Sequence, residues 1–68
     1  MNAKLLKSKM VLHDDTQGKL ADALGISAQR LSNKINECNG AQFTQTEIRI
    51  IKDRYDLSDE EVSLIFFT

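Results

Sequence analysis

The chain has 68 residues, 41% of them hydrophobic and 28% charged, with a formal net charge of −1. That length holds one small core and excludes a second domain, so residues 1–68 read as a single unit whose apolar residues serve one cluster. Mixed charge, no Pro, no Trp and only three Gly favour a helical globular fold over a disordered tail.

No stretch approaches the roughly 20 apolar residues that cross a bilayer, and the start, "MNAKLLKSKMVL", lacks the apolar run and cleavage site of a signal peptide. No membrane partner is expected, and the cytoplasm is the expected location. Cys38 has no second cysteine to pair with, and one Cys with one His does not make a zinc cage, so neither a metal nor a cofactor is expected. The charge is unevenly distributed. Through residue 34, Lys4, Lys7, Lys9, Lys19, Arg30 and Lys34 outnumber Asp14, Asp15 and Asp22. Beyond it, Arg49, Lys52 and Arg54 are outnumbered by Glu37, Glu47, Asp53, Asp56, Asp59, Glu60 and Glu61. One end is thereby suited to face a polyanion while the other faces away.

Five helical segments follow in chain order, with no alternating apolar run that reads as a strand. The first covers about Ala3 to Leu12, with Leu6 and Met10 four apart and Leu5 and Leu12 seven apart on its apolar side. Thr16 caps the second, whose stripe is Leu20, Ala21 and Leu24. Gly25 stops it, because glycine takes a left-handed conformation without steric penalty. Ile26 inserts from the turn towards the core, and Ser27 caps a third helix with Ala28, Leu31 and Ile35 inward. A loop, "NECNGAQF", turns at Asn39 and Gly40. Thr44 with Glu47 forms a capping box for a fourth helix buried through Ile48, Ile51 and Tyr55. Ser58 with Glu61 forms another, ahead of Val62, Ile65 and Phe66.

Two short helices joined by a glycine-centred turn, over about residues 16–36, describe a helix-turn-helix, in which one helix crosses the DNA backbone and the next enters the major groove. "TQGKLADALGISAQRLSNKI" resembles the Cro and phage-repressor type of helix-turn-helix proteins, the XRE family. The match places Thr16 and Gln17 at the opening of the second helix, Ala21 at the close crossing, Gly25 at the turn, and Leu20, Leu24, Ile26 and Leu31 in the core. "LSNKIN", "FTQTEI" and "LSDEEVSLIFF" look like the flanks of short phage-encoded regulators of Gram-positive hosts. The resemblance implies an all-α, compact five-helix bundle with a lambda-repressor-like DNA-binding domain, and a Cro-like repressor or modulator of a lysis/lysogeny switch.

Residue roles follow from the face left once the core is assigned. Ser27, Gln29, Ser32, Asn33 and Asn36 lie off the apolar stripe of the third helix, and their short polar side chains suit base edges. Gln29 and Asn33, four apart, are the leading candidates, since an amide bonds adenine through N6 and N7. Ala28 suits a thymine methyl. Gln17 matches the family position that approaches phosphate, at a helix start that favours an anion. Lys19, Arg30, Lys34, Gln42 and Thr44 are the further phosphate candidates.

A modest positive end implies a homodimer on a palindromic double-stranded operator, or cooperation with another protein. In the final "SLIFFT", Ile65, Phe66 and Phe67 are candidates for a two-fold interface, Phe67 above all, with Ile65 and Phe66 equally suited to pack inward against Leu5, Leu6 and Tyr55. Catalysis is not expected, because nothing places a nucleophile or second base near His13. The competing reading is an antirepressor-like modulator that works by contact with a larger repressor protein, a reading that the net acidity and Glu37 favour.

Overall fold

Five α-helices and one 3₁₀ turn make up the computed structural model, which describes residues 1–67. Thr68, the last residue of "SLIFFT", lies outside them. The helices are α1 (Ala3–Leu12), α2 (Gln17–Leu24), α3 (Ala28–Ile35), α4 (Gln45–Arg54) and α5 (Asp59–Phe66), with the 3₁₀ turn at Cys38–Gly40. No strand occurs among the described residues, as the periodicity predicts. The Cα radius of gyration, 10.8 Å, equals the roughly 11 Å of a fully compact chain of this length.

Every helix starts on a side-chain cap, because the first amides of a helix have no carbonyl behind them. Asn2 accepts from the Leu5 amide at 3.0 Å, Thr16 from Lys19 at 3.1 Å and Ser27 from Arg30 at 3.1 Å. Both expected capping boxes form, Thr44 with Glu47 and Ser58 with Glu61. The helix ends share a different device. After α1, α2 and α4 stands a residue of positive φ, respectively Asp14 at 52°, Gly25 at 72° and Asp56 at 50°. The next amide then reaches back into the helix: Asp15 to the Met10 carbonyl at 2.8 Å, Ile26 to Ala21 at 3.0 Å and Leu57 to Lys52 at 2.9 Å. These are the closing bonds of a left-handed helix stop.

The core is shared evenly. Leu6, Leu20, Leu31, Ile51 and Ile65, one from each helix, are fully buried, and Met10, Ala21, Ile35, Tyr55 and Leu57 complete the cluster. Leu5, Leu24, Ile26, Phe43, Val62 and Phe66 pack against it from the rim. α1 runs antiparallel to α5, tied by the Asn2 amide to the Ile65 carbonyl at 2.7 Å and by an ion pair of Lys9 with Glu61.

Three apolar positions depart from expectation. Leu12, expected beside Leu5, is 74% exposed, as is its neighbour Val11 at 75%, because the inward side of α1 runs through Leu6 and Met10 and ends there. Ala28 is exposed at the first position of α3, whose buried side is Leu31, Lys34 and Ile35. Ile65, a candidate for a two-fold interface, is instead a central core residue with no exposed surface. Among the described residues no helix is long and apolar enough to cross a membrane.

Candidate nucleic-acid interface

The turn between α2 and α3 consists of residues 25–27, and each has a separate task. Gly25 reverses the chain, Ile26 packs on the core, and Ser27 caps α3. Beyond Gly25 and its two chain neighbours, nothing lies within 4 Å of where a Cβ on Gly25 would stand, so backbone conformation alone selects glycine here. Ala21, whose carbonyl receives the Ile26 amide, is buried where α2 meets the turn.

The outer side of α3 carries Ser27, Ala28, Gln29, Arg30 and Asn36 in the open and Ser32 and Asn33 half-buried. All six proposed base-reading residues therefore lie on one short helix or its cap, and none belongs to the core. Four are already paired, two by two: the Gln29 side-chain amide donates to Asn33 Oδ1 at 3.1 Å. Asn36 Nδ2 donates more loosely to Ser32 Oγ at 3.4 Å. One-turn spacing brings these groups together, as one linked pair of amides and one amide on a hydroxyl.

The phosphate candidates separate into groups. Arg30 and Gln42 line one groove with Asn33, Lys34 and Ala41, of about 180 Å³, between α3 and the following loop. Thr44, exposed, stands two residues on, its Oγ1 accepting the Glu47 amide at 3.2 Å. Gln17 opens α2 half-buried, where the Thr16 cap serves only the Lys19 amide and leaves the earlier amides without a helical partner. Lys19, exposed, lines a different cleft with His13, Asp14, Asp15, Arg54 and Tyr55.

Contrary to the expected phosphate contact, Lys34 is not a surface cation. Its side chain turns inward, leaving the residue 8% exposed, and Nζ donates to Glu47 Oε1 at 2.7 Å and to the Gln42 carbonyl at 3.1 Å. A buried ammonium needs a counter-charge and acceptors, and here it has both; it offers no free charge to phosphate. Burial pushes the Glu47 carboxyl up, but hydrogen bonds from Lys34 and the Thr44 amide and the Lys34 charge outweigh that and hold it below its ordinary value. Lys4, Lys7, Lys19, Arg30 and Arg49 make no ion pair among the described residues, whereas Lys9, Lys34, Lys52 and Arg54 each have a carboxylate. Glu37, beyond α3, bonds the Met1 amine at 2.8 Å.

At the C-terminal end, Phe66 turns half inward, edge-on to Phe43 with ring centroids 5.4 Å apart, while Phe67 is 61% exposed. Phe67 is the interface candidate that the fold leaves open.

Sequence reasoning missed a second node. The Asp15 carboxylate accepts from Arg54 Nε at 2.7 Å, from Arg54 Nη2 at 3.0 Å and from the Tyr55 hydroxyl at 2.5 Å. The Arg54 hydrogen bonds hold the Asp15 carboxyl far below the usual carboxylate range, and burial with the neighbouring carboxylate holds the Tyr55 phenol well above its usual value. This node fixes the segment that leads into α2. Its partners lie 39 and 40 residues apart, so no local pattern announces it.

No protein-family model, no curated protein and no solved structure matches the chain. Among the described residues there is also no group of three His, Cys, Asp or Glu side chains placed to hold a metal ion.

Proposed function

We propose that this chain is a sequence-specific DNA-binding regulator, a Cro-like repressor that acts as a homodimer on a palindromic operator and reads it with α3 in the major groove. One observation carries the reading. A short helix held by a glycine turn against α2 presents Ser27, Ala28, Gln29, Ser32, Asn33 and Asn36 outward, a side made of amides, hydroxyls and one methyl with a single cation, Arg30, beside it. Such a surface has donors and acceptors for base edges, and a groove about 12 Å wide admits the helix that bears it. Gln17, Lys19, Arg30, Gln42 and Thr44 frame it as contacts to the sugar-phosphate backbone, which give affinity and register.

The test is selection of bound sequences from a random duplex library at low salt, with Gln29→Ala and Asn33→Ala alongside. Recovery of a two-fold symmetric site, with preference relaxed at one base pair per half-site in Gln29→Ala, supports the proposal. Recovery of no motif transfers support to the second reading, a modulator acting by contact with a larger repressor. The inward turn of Lys34, which removes one expected cation from the DNA side, favours that reading, as does the exposure of Phe67.

A further inference from the structure

Nine residues, 36–44, join α3 to α4, and they contain three left-handed positions, Glu37, Asn39 and Gly40. Backbone bonding within the segment is sparse: the Ala41 amide closes the 3₁₀ turn onto Cys38 at 2.9 Å, and the Thr44 amide is taken by Glu47 at 2.9 Å. Gln42 and Phe43 lie between these two points. Phe43 packs on the core rim, which fixes its depth. The direction of the backbone at Gln42 is set by one further bond, from Lys34 Nζ to the Gln42 carbonyl.

Lys34 thus joins three elements through one ammonium. It sits on the buried side of α3, holds the carbonyl of the loop, and meets the same Glu47 oxygen that caps α4 through Thr44. Replacing Lys34 and Glu47 together by apolar residues of similar volume can be neutral or stabilising, since desolvation offsets most of the attraction between buried charges, whereas an apolar residue at Lys34 alone would strand the Glu47 carboxylate. What the apolar residue lacks is direction. Only a donor reaching both acceptors holds Gln42 against the groove that Arg30 and Asn33 also line.

We infer that Lys34 is a positioning residue for DNA recognition: it latches the Ala41–Thr44 segment to α3 and so sets where Gln42 stands relative to Arg30 and Asn33. The inference rests on the DNA-binding reading of α3. It assigns Lys34 a role opposite to that of a surface phosphate ligand, because the ammonium acts on the protein and releases no counterion from DNA.

The variant is Lys34→Met with Glu47→Gln, which removes the ammonium, leaves no orphan charge and keeps an amide oxygen to cap α4; Lys34→Leu with Glu47→Gln replaces it if the first does not fold. Two measurements are made on each. In the free protein, backbone order parameters at Ala41, Gln42 and Phe43 fall from about 0.85 to below about 0.6, with the helices unchanged. On the selected duplex, affinity drops about tenfold while the slope of log K against log salt stays as in the unaltered protein. A slope reduced by about 0.9 per copy makes Lys34 a phosphate ligand and overturns the inference. Unchanged loop order overturns it too, as does a loosened loop with unchanged duplex affinity. Should the unaltered protein prefer no duplex at all, the DNA reading fails and the claim about recognition falls with it, whereas the order parameters still decide whether Lys34 latches the loop.

Discussion

Gln29 and Asn33 are bonded to each other at 3.1 Å, so under the proposed DNA-binding reading they would meet a base pair as a coupled unit. Replacing either by Ala is expected to cost about 1–3 kcal/mol at its preferred base pair. The double variant is expected to cost less than the two singles together by more than about 0.5 kcal/mol, and strict additivity in a double-mutant cycle would refute the coupling. Asp15 gives a prediction without DNA. Its carboxyl is depressed from an ordinary 3.8 by the Arg54 hydrogen bonds, and Glu61, bonded by Lys9, is held down to about 2 from 4.5. A carboxyl with a lower pKa folded than unfolded stabilises the fold above the unfolded value, and that contribution disappears as pH falls towards the folded one. Denaturant melts should therefore show stability level from pH 7 to about 5 and falling below about pH 4. Asp15→Asn should lose about 2 kcal/mol at pH 7 and flatten the acid limb; an unchanged limb would contradict the assignment. The residues of α3 that face outward were legible by subtraction from the apolar stripe. Lys34 was not, because a lysine written among Asn, Ser and Ile looks like surface, and its partner Glu47, 13 residues on, was already accounted for by its capping box.

At the scale of elements, the starts of the helices were readable and some of their ends were not. Thr16, Ser27, Thr44 and Ser58 each have an oxygen one bond from the Cβ, which is the chemistry a helix start requires, and each caps as expected. Gly25 announced its stop because glycine alone takes positive φ freely. Asp14 and Asp56 perform the same stop with a weaker signal, since aspartate enters the left-handed region more often than most residues but far less freely than glycine. Gly25→Ala is accordingly expected to destabilise the protein by about 1 kcal/mol through backbone strain alone, the space for the methyl being empty. A thermal melt measures it. A loss well above about 2 kcal/mol would mean that the turn is packed, contrary to its open surroundings, and no loss would mean that φ at this position relaxes.

Across the whole molecule, five helices each place one aliphatic side chain at a common centre, and the polar side of α3 is what that packing leaves outside. The all-helical fold and most of its core were legible because the apolar spacing is helical in every segment. The exposure of Leu12 was not, nor which of Ile65, Phe66 and Phe67 turns inward, since the ends of α1 and α5 are decided by how far the neighbouring helix reaches. Charge at this scale limits affinity. With Lys34 committed inward, Arg30 on α3 and Lys19 on α2 are the two candidate cations each copy brings, so a two-copy complex should make about four phosphate contacts, a slope of about −3.6 in log K against log salt. The most direct measurement is an equilibrium titration of the protein with the selected duplex and with a scrambled one, between about 50 and 200 mM salt. The expected result is a two-fold symmetric site bound at least about 10³ times more tightly than the scrambled duplex, with that slope. Equal affinity for both duplexes at every salt concentration would contradict it.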